Sequence, residues 1–217
     1  MLFRSQSIAN TPTKSGKIIT TSHGTITCNI VVSGTNGYTA QNAMYDRGFA
    51  MRLMPVYSMV VVTPQMSPER LHSLLPNGMA VTETARRHCY YRPTPCGKRL
   101  MLGGRASLMF LPRDQVQQRL EKMIEDIFQQ NAQSLPKITA EYTWLGRLGF
   151  THSKAPFIHK VSDTHYRAGG YSGTGMINAP YLGYMMSQII LKNKHLNDTV
   201  FTQMPHKPYP QIGRAHV

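Results

Sequence analysis

The sequence predicts a mixed α/β (α+β) fold. Three observations predict it. Short β-branched apolar runs recur along the chain, two long stretches carry apolar residues at three- and four-residue steps, and no internal repeat is present. The chain has 217 residues and is 41% hydrophobic, enough to bury one core, or one core and part of a second.

Lys17 to Ser22 and Thr25 to Ser33 are β-rich runs joined by a hairpin-type turn at His23-Gly24. The second run ends in Ile30-Val31-Val32, a continuous apolar stretch expected of a strand buried on both faces. Gly34-Thr35-Asn36-Gly37 breaks it with a loop that can come close to a ligand. Leu53 to Thr63 is a further strand. Ser67 and Pro68 supply the cap and first position of a short helix. Val81 to Thr94, the turn Pro95-Cys96-Gly97-Lys98 and Arg99 to Gly103 form a hairpin. Arg113 to Gln130 is the best amphipathic helix, through Val116, Leu120, Met123, Ile124, Ile127 and Phe128. Lys137 to Trp144 returns to strand alternation, and Phe157-Ile158-His159 and Tyr166 to Gly169 flank a turn. Gly173-Thr174-Gly175 leads into a helix reaching about Lys192, with Met176, Leu182, Met185, Met186, Ile189 and Ile190 as its apolar residues. The tail from Asn193 is polar, contains proline, and is expected to be poorly ordered. Its last six residues, Ile212-Gly213-Arg214-Ala215-His216-Val217, translate ATC GGA AGA GCA CAC GTC, which resembles a sequencing-adapter string; they are read as foreign to the fold.

The formal charge is +14, from 24 Lys+Arg against 10 Asp+Glu. Alone this suggests a polyanion partner. The cations are scattered, however, densest at Arg86-Arg87 and Lys192/Lys194, with no zinc-finger or RNA-recognition signature. A nucleic-acid partner is therefore not expected, and the basicity suits solvated surface or an anionic cofactor. No run of 18 apolar residues exists, so no membrane span is expected. The N-terminus lacks the apolar region of a signal peptide. Cys28, Cys89 and Cys96 are an odd set without framework spacing, which points to a reducing, cytoplasmic setting; no metal site is expected.

Four segments, in order, carry a resemblance. The first is Ile30-Val31-Val32-Ser33-Gly34-Thr35-Asn36-Gly37-Tyr38-Thr39. The second is Tyr90-Tyr91-Arg92-Pro93-Thr94-Pro95-Cys96-Gly97 with Gly103-Gly104-Arg105. The third is Trp144-Leu145-Gly146-Arg147-Leu148-Gly149-Phe150-Thr151 with Pro156 and Ile158. The fourth is Gly170-Tyr171-Ser172-Gly173-Thr174-Gly175 with Ala179-Pro180-Tyr181-Leu182-Gly183. Together, over about Leu2 to Leu191, they resemble the D-amino-acid oxidase / glycine oxidase / sarcosine oxidase superfamily of FAD-dependent oxidoreductases. Within it, the hairpin is most similar to γ-glutamylputrescine oxidase-like proteins.

The resemblance implies the C-terminal part of a two-domain flavoenzyme that oxidises a C–N bond of an amine or amino acid. It implies the end of an FAD domain over 1–44, a mixed-sheet substrate domain over 45–160, and a return to the FAD domain over 161–192. FAD is the implied cofactor and a small amine or amino acid the implied substrate. Thr35, Asn36, Gly37, Gly170, Tyr171, Ser172, Gly173, Thr174 and Gly175 would face FAD. Tyr91, Arg92 and Trp144 would face the substrate. On a strand, Tyr90 and Tyr91 point to opposite faces, so at most one of them meets a site. Cys89 lies five residues before Thr94, a spacing that resembles the covalent flavin cysteine of monomeric sarcosine oxidases; a buried core thiol and non-covalent FAD are the preferred reading. The family's Asp in the hairpin turn is Cys96 here, its Asp after the third-segment Thr is Ser153, its His in the glycine turn is Thr174, and the sarcosine-oxidase lysine position is Ile177. No G-x-G-x-x-G turn occurs in the sequence, so the chain alone is expected to be inactive. A flavoprotein subunit or assembly factor without catalysis, and a basic nucleic-acid-binding module, are the alternative readings.

Overall fold

A computed structural model describes residues 5–11, 16–42, 49–84, 89–128, 139–202 and 207–209. Arg86, Arg87, the last two residues of the expected 113–130 helix, the start of the expected 137–144 strand and the adapter-like 212–217 lie outside the described residues. The chain divides into two units, one of Met1–Pro55 with Leu148–Val217 and one of Val56–Arg147.

The first unit holds two three-stranded sheets. Strands β1 (Ser5–Asn10), β2 (Lys17–Thr21) and β3 (Gly24–Cys28) form an antiparallel meander, with Thr21 opposite Gly24 at the predicted hairpin turn. β1 escaped the sequence reading because Ser-Gln-Ser-Ile-Ala-Asn has little β-branched content. In the other sheet β10 (Phe157–Ser162) pairs antiparallel with β11 (His165–Gly169), and β11 pairs parallel with β4 (Val31–Ser33). Through its pairing with β11, β10 belongs to this unit. Phe49 and Leu53 cluster with Phe157 in the same unit. β4 is the sheet's edge strand, and the stretch expected to be buried on both faces is buried on one: Val31 is 7% exposed and Val32 50%. Helix α3 (Gly175–Ile190) places Leu182, Met185, Met186 and Ile189 on Ile158 and Tyr166.

Of the tail, 193–202 and 207–209 are described. Short 3-10 turns span Leu196–Asp198 and Val200–Thr202, and Phe201 packs beside the α3 core. Further on, the Tyr209 hydroxyl donates to the Phe150 carbonyl at 3.2 Å and the Tyr209 amide to Met51 at 2.9 Å.

The second unit is a five-stranded sheet in the order β6-β7-β8-β5-β9. The strands are β5 (Met54–Val62), β6 (Val81–Thr82), β7 (Cys89–Pro93), β8 (Leu100–Ser107) and β9 (Tyr142–Phe150), the first and last of these crossing the unit boundary. Helix α1 (Pro68–Leu74) begins as the sequence predicts: the Ser67 hydroxyl accepts from the Arg70 amide at 3.3 Å, with Pro68 at the first position. Helix α2 (Arg113–Phe128) buries Val116, Leu120, Met123, Ile124 and Phe128 against Met59, Val61, Cys89, Leu100 and Leu102 of the sheet. Its spacing of four, three, one and four residues keeps these side chains on one stripe. Glu121 is buried on the same helix, where its carboxylate accepts from the Gln117 side chain at 2.8 Å and the Ala140 amide at 2.7 Å. Those bonds satisfy the buried charge and fix the chain's entry into β9.

Candidate functional site

In the first unit the functional candidates meet where β4 and β11 end. Gly170, Ser172 and Gly173 all have positive φ, at 73°, 49° and 99°. At Gly170 the requirement is also steric, since a Cβ there would stand 2.5 Å from the Thr151 methyl and 2.9 Å from the Phe157 ring. The Ser172 amide donates to the Gly149 carbonyl at 3.0 Å and its hydroxyl to the Gly170 carbonyl at 3.1 Å. Across from this turn, the Asn36 carboxamide oxygen accepts the Gly170 amide at 2.9 Å. Asn36, Gly170 and Ser172 are thus brought together. The Thr35 hydroxyl bonds that of Thr39 at 2.8 Å. Gly37 sits in the short 3-10 helix Asn36–Asn42 that follows.

Thr174 occupies the N-cap of α3 but makes no side-chain cap bond. Its hydroxyl instead donates to Tyr171 at 2.6 Å and accepts from the Asn178 side chain at 2.7 Å. The first amides of α3 therefore receive nothing from the cap side chain and present the positive end of the helix. Beside them runs an apolar groove of about 290 Å³ between β4, β11 and α3, lined by Val32, Gly34, Ala168, Tyr171, Ala179 and Gly183 among others. Tyr171 is half-buried there, and burial pushes its phenol above the ordinary value. A Cβ built on Gly34 or on Gly173 would meet nothing within 4 Å. Bare backbone over open space, next to an uncapped helix end, fits a flat ring with an electron-rich edge.

In the second unit, strand register sorts the hairpin residues onto two faces. Cys89 lies opposite Gly104, Tyr90 opposite Gly103, Tyr91 opposite Leu102 and Arg92 opposite Met101. Leu102 and Cys89 belong to the core under α2, so Tyr91 and Cys89 share that face; Tyr91 meets the Phe128 ring at 5.5 Å. Tyr90 and Arg92 take the other face. The expected Tyr91 thus lies on the core face, while Tyr90 shares the open face with Arg92. The Tyr90 ring lies across Gly103, where a Cβ would stand 2.5 Å from it. Cys89 is 2% exposed and faces the core.

Trp144 is 45% exposed, whereas its neighbours Thr143 and Leu145 turn towards α2. Trp144 therefore shares the open face with Arg92, but on β9, three strands from β7. Three strand spacings amount to ~14 Å. At the hairpin end, the Arg99 guanidinium bonds Glu141, holds its carboxyl below the usual range, and lies over the Tyr142 ring. The exposed Cys96 thiol is lowered by the Thr94 hydroxyl and the Lys98 backbone. Among the described residues no helix is long and apolar enough to cross a membrane, and no group of three or more His, Cys, Asp or Glu is placed to hold a metal.

Residues 3–189 match the model of the family described as FAD dependent oxidoreductase. The chain is 25% identical over 193 residues to gamma-glutamylputrescine oxidoreductase of Escherichia coli (strain K12), covering 89% of this chain and 43% of that protein. It is 29% identical over 177 residues to a probable oxidoreductase OrdL of Rhizobium meliloti (strain 1021), covering 80% of this chain and 38% of that one. Glycine oxidase from Geobacillus kaustophilus shares the fold, with a TM-score of 0.65 at 20% identity over 97% of this chain and 53% of that chain. The chain thus spans about two fifths of the curated relatives it matches. It belongs to the family of FAD-dependent oxidoreductases.

Proposed function

We propose that the whole protein oxidises a C–N bond of an amine or amino acid to an imine, which water then converts to a carbonyl compound and a released amine or ammonia. The observation that carries this reading is the glycine turn at Gly170–Gly175, which leads into an uncapped helix beside the open backbone of Gly34. The names of the relatives support the substrate class. FAD, when bound, supplies the hydride acceptor. Gly34, Gly173, Thr174 and Gly175 would hold its ring by close backbone approach, and the α3 N-terminus would favour negative charge on it. FAD would be held non-covalently, a reading that the core-facing Cys89 supports. On the substrate side, the Arg92 fork takes a carboxylate, and Tyr90 and Trp144 supply aromatic surface. A reducing, cytoplasmic setting suits the buried Cys89 thiol.

The test is anaerobic addition of a panel of amines and amino acids to the whole protein while flavin absorbance is followed. Bleaching is expected. Arg92→Ala should leave the flavin bound and lower the specificity constant for carboxylate-bearing substrates about tenfold or more, the equivalent of ~1.5–3 kcal/mol for a lost charged hydrogen bond. A yellow protein that no amine bleaches would instead be a flavoprotein without amine oxidation.

A further inference from the structure

We propose that Asn36 is a positioning residue, whose carboxamide oxygen holds the Gly170 amide and so sets the backbone of the Gly170–Gly175 turn. As far as it concerns FAD, this rests on the reading above. The bond spans 134 residues of sequence and ties the loop after β4 to the end of β11. Three glycines surround the carboxamide. A Cβ at Gly149 would overlap it, one at Gly169 would lie 3.4 Å from its oxygen, and Gly170 supplies the donor. Ser172 closes the circuit through its amide to Gly149 and its hydroxyl to Gly170.

The turn needs such an anchor. With left-handed φ at Gly170, Ser172 and Gly173 it has no repeating backbone ladder, and a part-buried amide left without an acceptor is costly. Asn36 itself sits at φ 43°, a conformation that asparagine adopts more readily than most side chains. Its carboxamide is directed at the protein backbone, so Asn36 acts on the cofactor site through the turn and is not itself a ligand.

Two substitutions separate backbone tolerance from the hydrogen bond. Asn36→Gly accepts positive φ but has no acceptor; Asn36→Asp keeps both. Hydrogen exchange at the Gly170 amide, read by NMR on the 217-residue chain without cofactor, should be slow in the unsubstituted chain and in Asn36→Asp. It should be about tenfold faster in Asn36→Gly, as expected for one lost hydrogen bond. A fast Gly170 amide in the unsubstituted chain, or equal protection in Asn36→Gly, overturns the proposal. In the whole protein, Asn36→Gly should also move the flavin midpoint potential to a more negative value, because the loosened turn stabilises the reduced ring less. An unshifted potential overturns the role towards FAD. Absence of flavin from the unsubstituted whole protein overturns the proposed function instead, and leaves the exchange result standing.

Discussion

Tyr90 and Tyr91, adjacent on one strand, face opposite sides of the sheet. Both are tyrosines on β7, and only the pairing with β8 tells that Tyr91 packs on Phe128 while Tyr90 lies over Gly103. An alanine at Gly103 would push the Tyr90 ring off the sheet, since the added methyl would stand 2.5 Å from it. The ring can swing aside, so the cost in this chain should be modest, ~1 kcal/mol. It should largely vanish in a Tyr90→Ala background. A double-mutant cycle by urea denaturation should give a coupling of at least ~0.5 kcal/mol. Additive effects would mean that the ring does not rest on Gly103.

Arg99, at the turn end of the hairpin of β7 and β8, pairs with Glu141, the residue before β9, across the end of β5. The Arg99 hydrogen bond, with a further one from Tyr142, lowers the Glu141 carboxyl below its ordinary value. A carboxyl depressed in the folded state adds stability above its unfolded value and loses it as pH falls through the folded one. Glu141→Gln should therefore destabilise the chain at neutral pH, by an amount that shrinks on acidification and in high salt. Thermal melts of both proteins across the acid limb check this; a difference that is constant with pH would show that the pair contributes nothing through charge. Among the elements, α2 was the most legible because its apolar stripe is strictly periodic. By contrast, α3 is apolar on nearly every face, and Met176, at 92% exposed, is not a core residue despite its type. Periodicity cannot rank faces where almost all residues are apolar.

At the scale of the whole molecule, the order of the four motif segments was legible, and the family match over 3–189 agrees with it. The division into units was less so. The first unit is built from both ends of the sequence, with β4 joined to β11 and Asn36 to Gly170 across more than a hundred residues. Parallel pairing over such a separation leaves no local signature in composition or periodicity. On the proposed function the same unit would offer backbone to a flavin ring, yet the sequence contains no glycine-rich turn of the kind that holds a dinucleotide pyrophosphate. The central claim is that this chain faces FAD while the pyrophosphate is held elsewhere in the whole protein. Absorption spectra after dialysis against FAD test it most directly. The whole protein should retain one flavin per chain and the 217-residue chain almost none; stoichiometric flavin on the 217-residue chain, or none on the whole protein, would contradict the account.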